Sequence, residues 1–114
     1  EFERAQREAD VVYLPTNGAI QGWDAGVARE WVRAKARKPV VTCDDFMMPY
    51  AAYGLTKVAA EQGEWAAEAA LRILSGESPG SIPQVENTRR RCFYNRSLSD
   101  ALGWRPSGDC TPVE

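Results

Sequence analysis

Two short unbroken apolar runs set the strongest constraint on this chain. Val11-Val12-Tyr13-Leu14 is closed by Pro15, and Pro39-Val40-Val41-Thr42-Cys43 ends in two acidic residues. A strand buried on both faces reads as a continuous apolar run, which is the habit of parallel sheets. Parallel neighbours need a long crossover, usually a helix. Between the runs lie Ile20, Trp23, Val27, Trp31 and Ala34, spaced by three or four as on one face of a helix. The expected class is α/β: three layers, α-β-α, with a mainly parallel sheet.

The remaining elements follow from punctuation. Residues 2–9 read as a short charged helix. Thr16-Asn17-Gly18 offers capping chemistry for a helix to about Arg37, with a basic end that suits the helix dipole. Asp44 to Pro49 reads as a loop or single helical turn, and Tyr50 to Leu55 as a third strand. Thr56 is expected to cap a helix running to Leu74, with Val58, Gln62, Trp65, Ala69 and Ile73 on one side and Ser75-Gly76 as its stop. Thr88 to Tyr94 reads as an exposed or edge strand and Ser97 to Leu102 as a helix stopped by Gly103. These readings give one α/β unit over residues 1–103 and a tail over 104–114.

Composition narrows the chemistry. With 114 residues, 44% of them hydrophobic, the chain suits one globular domain. Fourteen cations against sixteen anions give no reason to expect nucleic acid as a partner. There is no histidine, which excludes a Ser-His-Asp or Cys-His pair and a His-ligated zinc within the chain. Cys43, Cys92 and Cys110 form no C-x-x-C and allow one bridge, whose partners the sequence leaves open. No metal or cofactor is expected. Arg89-Arg90-Arg91 lacks interleaved aromatics and reads as a charged guard on a sheet edge.

In open α/β sheets ligands sit outside the carboxyl ends of the strands. Those ends carry Thr16-Asn17-Gly18 and Asp44-Asp45-Phe46. The first group, at a helix start, would hold an anion such as a carboxylate. The second would pair with an ammonium, with Phe46, Tyr50 or Tyr53 as an aromatic wall. Together they suit a zwitterion such as an amino acid. The plain alternative makes Asn17 a cap and the two aspartates solvated loop acids. A third reading, a metal-dependent phosphotransfer domain using Asp44 and Asp45, lacks a later strand ending in a phosphate-accepting aspartate or a suitable lysine. Gly18, Gly22 and Gly26 do not form a phosphate loop and read as close packing along a helix.

The order of motifs resembles the substrate-binding proteins of ABC transporters, in the tryptophan- and tyrosine-binding type. Asp10-Val-Val-Tyr-Leu-Pro-Thr-Asn17 is similar to the family's strand and first ligand loop, and Lys38-Pro39-Val40-Val41 followed by Asp44-Asp45 to its next. Tyr53-Gly54 fits the strand after that. Gly63, Ala66-Ala67 and Ile73 to Pro79 resemble its "G-x-x-A … I-L-x-G-x-x-P" helix and exit. Ile82-Pro83, Asn95 and Leu102-Gly103 resemble its closing motif, so the likeness covers about residues 9–104. It departs at Asn17, where the family often has Asp, and at Gly18, which has no side chain.

The resemblance implies the carboxyl-terminal lobe of a type I periplasmic-binding-protein fold, binding a small solute between two lobes without chemistry. It implies an amino-terminal lobe, a membrane permease as partner, and a place in the periplasm or on the outer face of the cytoplasmic membrane, with or without a lipid anchor. The ligand-binding residues would be Thr16, Asn17, Gly18, Asp44, Asp45, Phe46 and Tyr53. An isolated lobe would bind solute very weakly and would tend to form homodimers. A ligand-sensing domain of a transcription regulator with the same fold is the alternative. A signal peptide or lipobox upstream would mark the transport protein, a helix-turn-helix the regulator.

Overall fold

The computed structural model describes residues 1–114. It is a mixed α/β structure with a five-stranded, mostly parallel sheet in the order β1-β2-β3-β4-β5. The strands are β1 (Val12–Tyr13), β2 (Val40–Thr42), β3 (Tyr53–Lys57), β4 (Arg90–Asn95) and β5 (Thr111–Val113). The helices are α1 (Phe2–Glu8), α2 (Ala25–Lys35), α3 (Ala59–Leu74) and α4 (Arg96–Leu102). Val12 stands beside Val40 in a parallel pair, Val41 beside Tyr53 in another, and Phe93 beside Thr111 in a third. The chain divides into two compact units, Glu1–Thr56 with Arg91–Glu114, and Lys57–Arg90.

The first unit holds the core. Val32 of α2 and Ala36, which follows the helix, meet Val40, Met47, Tyr50, Ala51, Ala52 and Leu98, all buried. Phe2, Trp23, Leu102 and Trp104 pack partly buried around them. Asp45–Tyr50 forms a 3-10 helix that carries Pro49 and sinks Met47, Met48 and Tyr50. Trp23 meets Tyr50 edge to face at 5.1 Å and donates its indole N–H to the phenol at 3.3 Å. Asn95 is the polar hinge of this core. Its Oδ1 caps α4 by accepting from the Leu98 amide at 3.1 Å, and its Nδ2 donates to the Met48 carbonyl at 3.3 Å. Gln6 does similar work at the other end, accepting from the Arg37 and Lys38 amides at 2.7 Å each. A Cβ on Gly54 would run into Met48 Sδ, with Thr42 and Thr56 close on either side. Only glycine lets β3 lie this near the 3-10 helix.

The second unit is α3 followed by a short turn and an extended return. No residue of α3 is buried. Ser75 and Gly76 end it, as the sequence predicts, with the Gly76 amide on the Ile73 carbonyl. Polar ties hold the return to the helix. The Glu61 carboxylate accepts from the Thr88 amide and hydroxyl at 2.8 and 2.7 Å and from the Arg89 amide at 3.0 Å. Arg89 reaches Glu64 at 2.6 Å, and Arg72 makes a two-pronged bond to Glu77.

Several expectations are corrected. The second helix begins at Ala25, not at Gly18, because the Asp24 carboxylate takes the Val27 amide at 2.9 Å. Gly22 sits at φ 67, a left-handed conformation that a continuous helix forbids. Thr56 lies in β3 and is buried; Val58 stands at the start of α3. Tyr50 closes the 3-10 helix rather than opening a strand. The arginine run leads into β4, which is flanked by β3 and β5 and is not an edge. Residues 104–114, read as a tail, carry β5, and Cys110 of this segment is bonded to Cys92. No helix is long and apolar enough to cross a membrane.

Candidate functional site

Because β1 and β2 run parallel, their carboxyl ends leave the sheet at the same edge. That edge brings together two of the groups selected from the sequence, Thr16-Asn17-Gly18 after β1 and Asp44-Asp45-Phe46 after β2. The first loop folds on itself. The Gly18 amide donates to Thr16 Oγ1 at 3.2 Å, and the Ile20 amide to the Asn17 carbonyl at 3.0 Å. These residues therefore form a turn and not a helix start, so the dipole expected to hold an anion is replaced by local amide and hydroxyl groups.

In the second loop the Asp44 amide donates to Thr42 Oγ1 at 3.3 Å, and the Asp44 carboxylate accepts from the Cys43 thiol at 3.8 Å. Asp45 holds Arg91 at 2.6 Å, so its charge is matched within the unit. Phe46 is 56% exposed beside them. No three carboxylate, thiol or imidazole groups converge anywhere in the structure to hold a metal ion.

Tyr53 lies elsewhere. It is the first residue of β3, level with Val41, and stacks edge to face on Trp104 at 5.8 Å. The aromatic at the strand-end edge is Tyr13, whose hydroxyl meets Cys43 Sγ at 2.7 Å. That hydrogen bond, with slight desolvation and the nearby Cys43 and Asp44, pushes the phenol above its ordinary pKa and keeps it protonated. Neither Tyr13 nor Cys43 was selected from the sequence. The signal was strand alternation, which turns Tyr13 out where Val12 turns in; an unbroken apolar run hides it.

Neither of the larger concavities is lined by residues 16–18 or 44–46, although Leu14 and Ile20, on either side of the first loop, line one of them. One, of about 650 Å³, lies in the first unit among α1, β1 and α2, lined by Phe2, Leu14, Trp23 and Trp31. Another, of about 780 Å³, lies in the second unit.

Two solved structures are similar to this chain. A conserved domain protein from Vibrio cholerae gives a TM-score of 0.61 at 20% identity, over 92% of this chain and 36% of its own. A substrate binding protein with adhesive properties from Clostridium difficile, in its ligand-free, open structure, gives 0.61 at 22% identity, over 97% and 38%. The chain thus spans little more than a third of each, and at these identities the likeness is one of fold. No protein-family model and no curated protein matches the chain.

Proposed function

We propose that this chain is a solute-binding lobe of a substrate-binding protein, and that it binds without chemistry. The observation that carries this reading is the pair of loops at the carboxyl ends of adjacent parallel strands, in a sheet similar to that of a known substrate binding protein. Thr16, Asn17 and Gly18 present hydroxyl, amide and backbone groups to one side of a small solute. Asp44 presents a carboxylate, and Phe46 with Tyr13 an aromatic surface. An amino acid or a similar zwitterion fits that chemistry. Asp45 serves the site by anchoring its loop to Arg91. Tyr53, counted among the ligand residues from the sequence, is left as a packing residue.

The full-length protein would then close two lobes on the solute and present the closed form to an ABC permease. A setting outside the cytoplasm is supported by the Cys92–Cys110 disulfide, which persists in oxidising compartments.

The test is a two-dimensional NMR titration of this chain with each proteinogenic amino acid at millimolar concentration. Half a site predicts small shifts confined to the amides of 16–18 and 43–46, and no micromolar heat signal in calorimetry. Shifts scattered over the chain, or none with any amino acid, would remove the solute reading. Micromolar affinity would remove the half-site.

A further inference from the structure

The sulfur bridge and the last strand stand in register. Cys92 is bonded to Cys110, and the residues after them pair in order: Phe93 with Thr111, Tyr94 with Pro112, Asn95 with Val113. The bridge thus sits one step before the β4–β5 ladder and sets which residue of β5 meets which of β4.

Little else holds β5. It is the end strand of the sheet, with β4 as its one neighbour. Thr111 and Pro112 are exposed and Val113 is half-buried. Pro112 has no N–H to give to a ladder. Arg105, Ser107, Gly108 and Asp109, which lead up to it, are exposed as well. Along the backbone, the nearest ties to the rest of the unit are Trp104 and Arg105. Trp104 stacks on Tyr53 and donates its amide to the Ser99 carbonyl at 3.0 Å, and Arg105 pairs with Asp100 at 2.7 Å. β4 is secured from its other side. The buried Asn95 gives its amide to the Ala52 carbonyl at 3.0 Å, and its side chain holds Met48 and Leu98.

We propose that the Cys92–Cys110 bridge is a redox latch, whose reduction by a dithiol frees residues 106–114 and opens the β5 side of β4 while α4, Trp104 and the core stay folded. Both cysteines are half-buried, so a thiolate reaches the bridge from solvent. One thiolate of the reductant attacks a bridge sulfur and forms a mixed disulfide; its second thiol displaces the protein. Two electrons pass, Cys92 and Cys110 each end as a thiol carrying one proton, and the reductant ends as a disulfide. The opened edge then carries the backbone N–H and C=O groups of Phe93 to Asn95 that had faced β5. Reoxidation returns the strand to the same register, because Cys110 can close only on Cys92 beside it.

Nuclear magnetic resonance of the 114-residue chain tests this, with dithiothreitol as the probe and Cys92→Ser with Cys110→Ser as a form that has no bridge to reduce. In the oxidised chain, cross-strand contacts should join 93–95 to 111–113. In the reduced chain and in the double variant those contacts should vanish, and amide exchange at Val113 should rise by about tenfold or more. Contacts between Tyr53 and Trp104, and slow exchange at Asn95 and Leu98, should persist. Cys43→Ser should leave the response to dithiothreitol unchanged. Cross-strand contacts that survive reduction would overturn the proposal, since β5 would then hold without the bridge. So would loss of the Tyr53–Trp104 contacts or fast exchange at Asn95 and Leu98, since the whole unit would then have opened.

Discussion

The two units of this chain are held by different forces. In the first, Val40, Met47, Leu98 and their neighbours are removed from water, and hydrogen bonds such as those of Asn95 lie inside the core. In the second, α3 keeps Leu71 and Leu74 at 68% and 83% exposure, and the return segment is tied on by carboxylates. Both carry amphipathic helices of ordinary pattern. The lesson is that an apolar stripe identifies a helix but does not say whether the stripe is covered.

The sharpest way to expose that difference is to shorten one leucine in each unit. Leu98→Ala empties a site that is 2% exposed and should cost about 2–5 kcal/mol in urea denaturation. Leu71→Ala should stay within about 0.5 kcal/mol, as surface changes do. Equal costs would mean that α3 is covered in solution.

Reducing the Cys92–Cys110 bond comes next. It joins residues 18 apart, and its loss should cost about 3 kcal/mol by chain entropy. Thermal melting with and without reductant measures this, and since both cysteines lie in the first unit, helix content from α3 should be unaffected at temperatures below the melt. Gly54→Ala should cost about 1–3 kcal/mol, because the new methyl displaces Met48 from its packing. The paired variant Gly54→Ala with Met48→Ala should recover part of that loss; no recovery would place the strain in the backbone.

The smallest effect separates the units by pH. The Thr88 hydroxyl and amide hold the Glu61 carboxyl below its ordinary pKa, and the Arg72 guanidinium does the same for Glu77. A lowered carboxyl pKa contributes stability that is present above the ordinary value, 4.5, and is lost as pH falls through the folded value. Amide exchange at Thr88 and Arg89 should therefore quicken in acid before exchange at Leu98 does. Glu61→Gln should remove that acid dependence. Exchange that quickens equally at all three positions would erase the distinction.

Much of the first unit was legible in the sequence because its signals are local. The apolar runs give β1 and β2, and Gly103 at φ 62 stops α4 as its position suggests. The misreadings arise where two local signals compete or where pairing is remote. Asn17 and Asp24 are both good caps, and the Ile20 spacing favoured the wrong one; Ile20 is in fact 51% exposed. Thr111-Pro112-Val113 is too short and too proline-bearing to read as a strand, and it earns its place by pairing with Phe93, Tyr94 and Asn95. At the strand-end edge, the two loops followed from the apolar runs that precede them. Tyr53 and Gly54 were read into the third strand and stand there, while the strand itself begins three residues later than its apolar stretch because Tyr50 ends the 3-10 helix.

The Cys92–Cys110 bond has a mechanical side. It encloses α4 in a covalent ring whose two ends lie on β4 and beside β5. Tension applied at Glu114 passes through the sulfur bridge into β4 and never reaches α4 along the backbone. In a stretching experiment the whole of 93–109 should therefore contribute no extension until the bridge is reduced, however easily that helix melts.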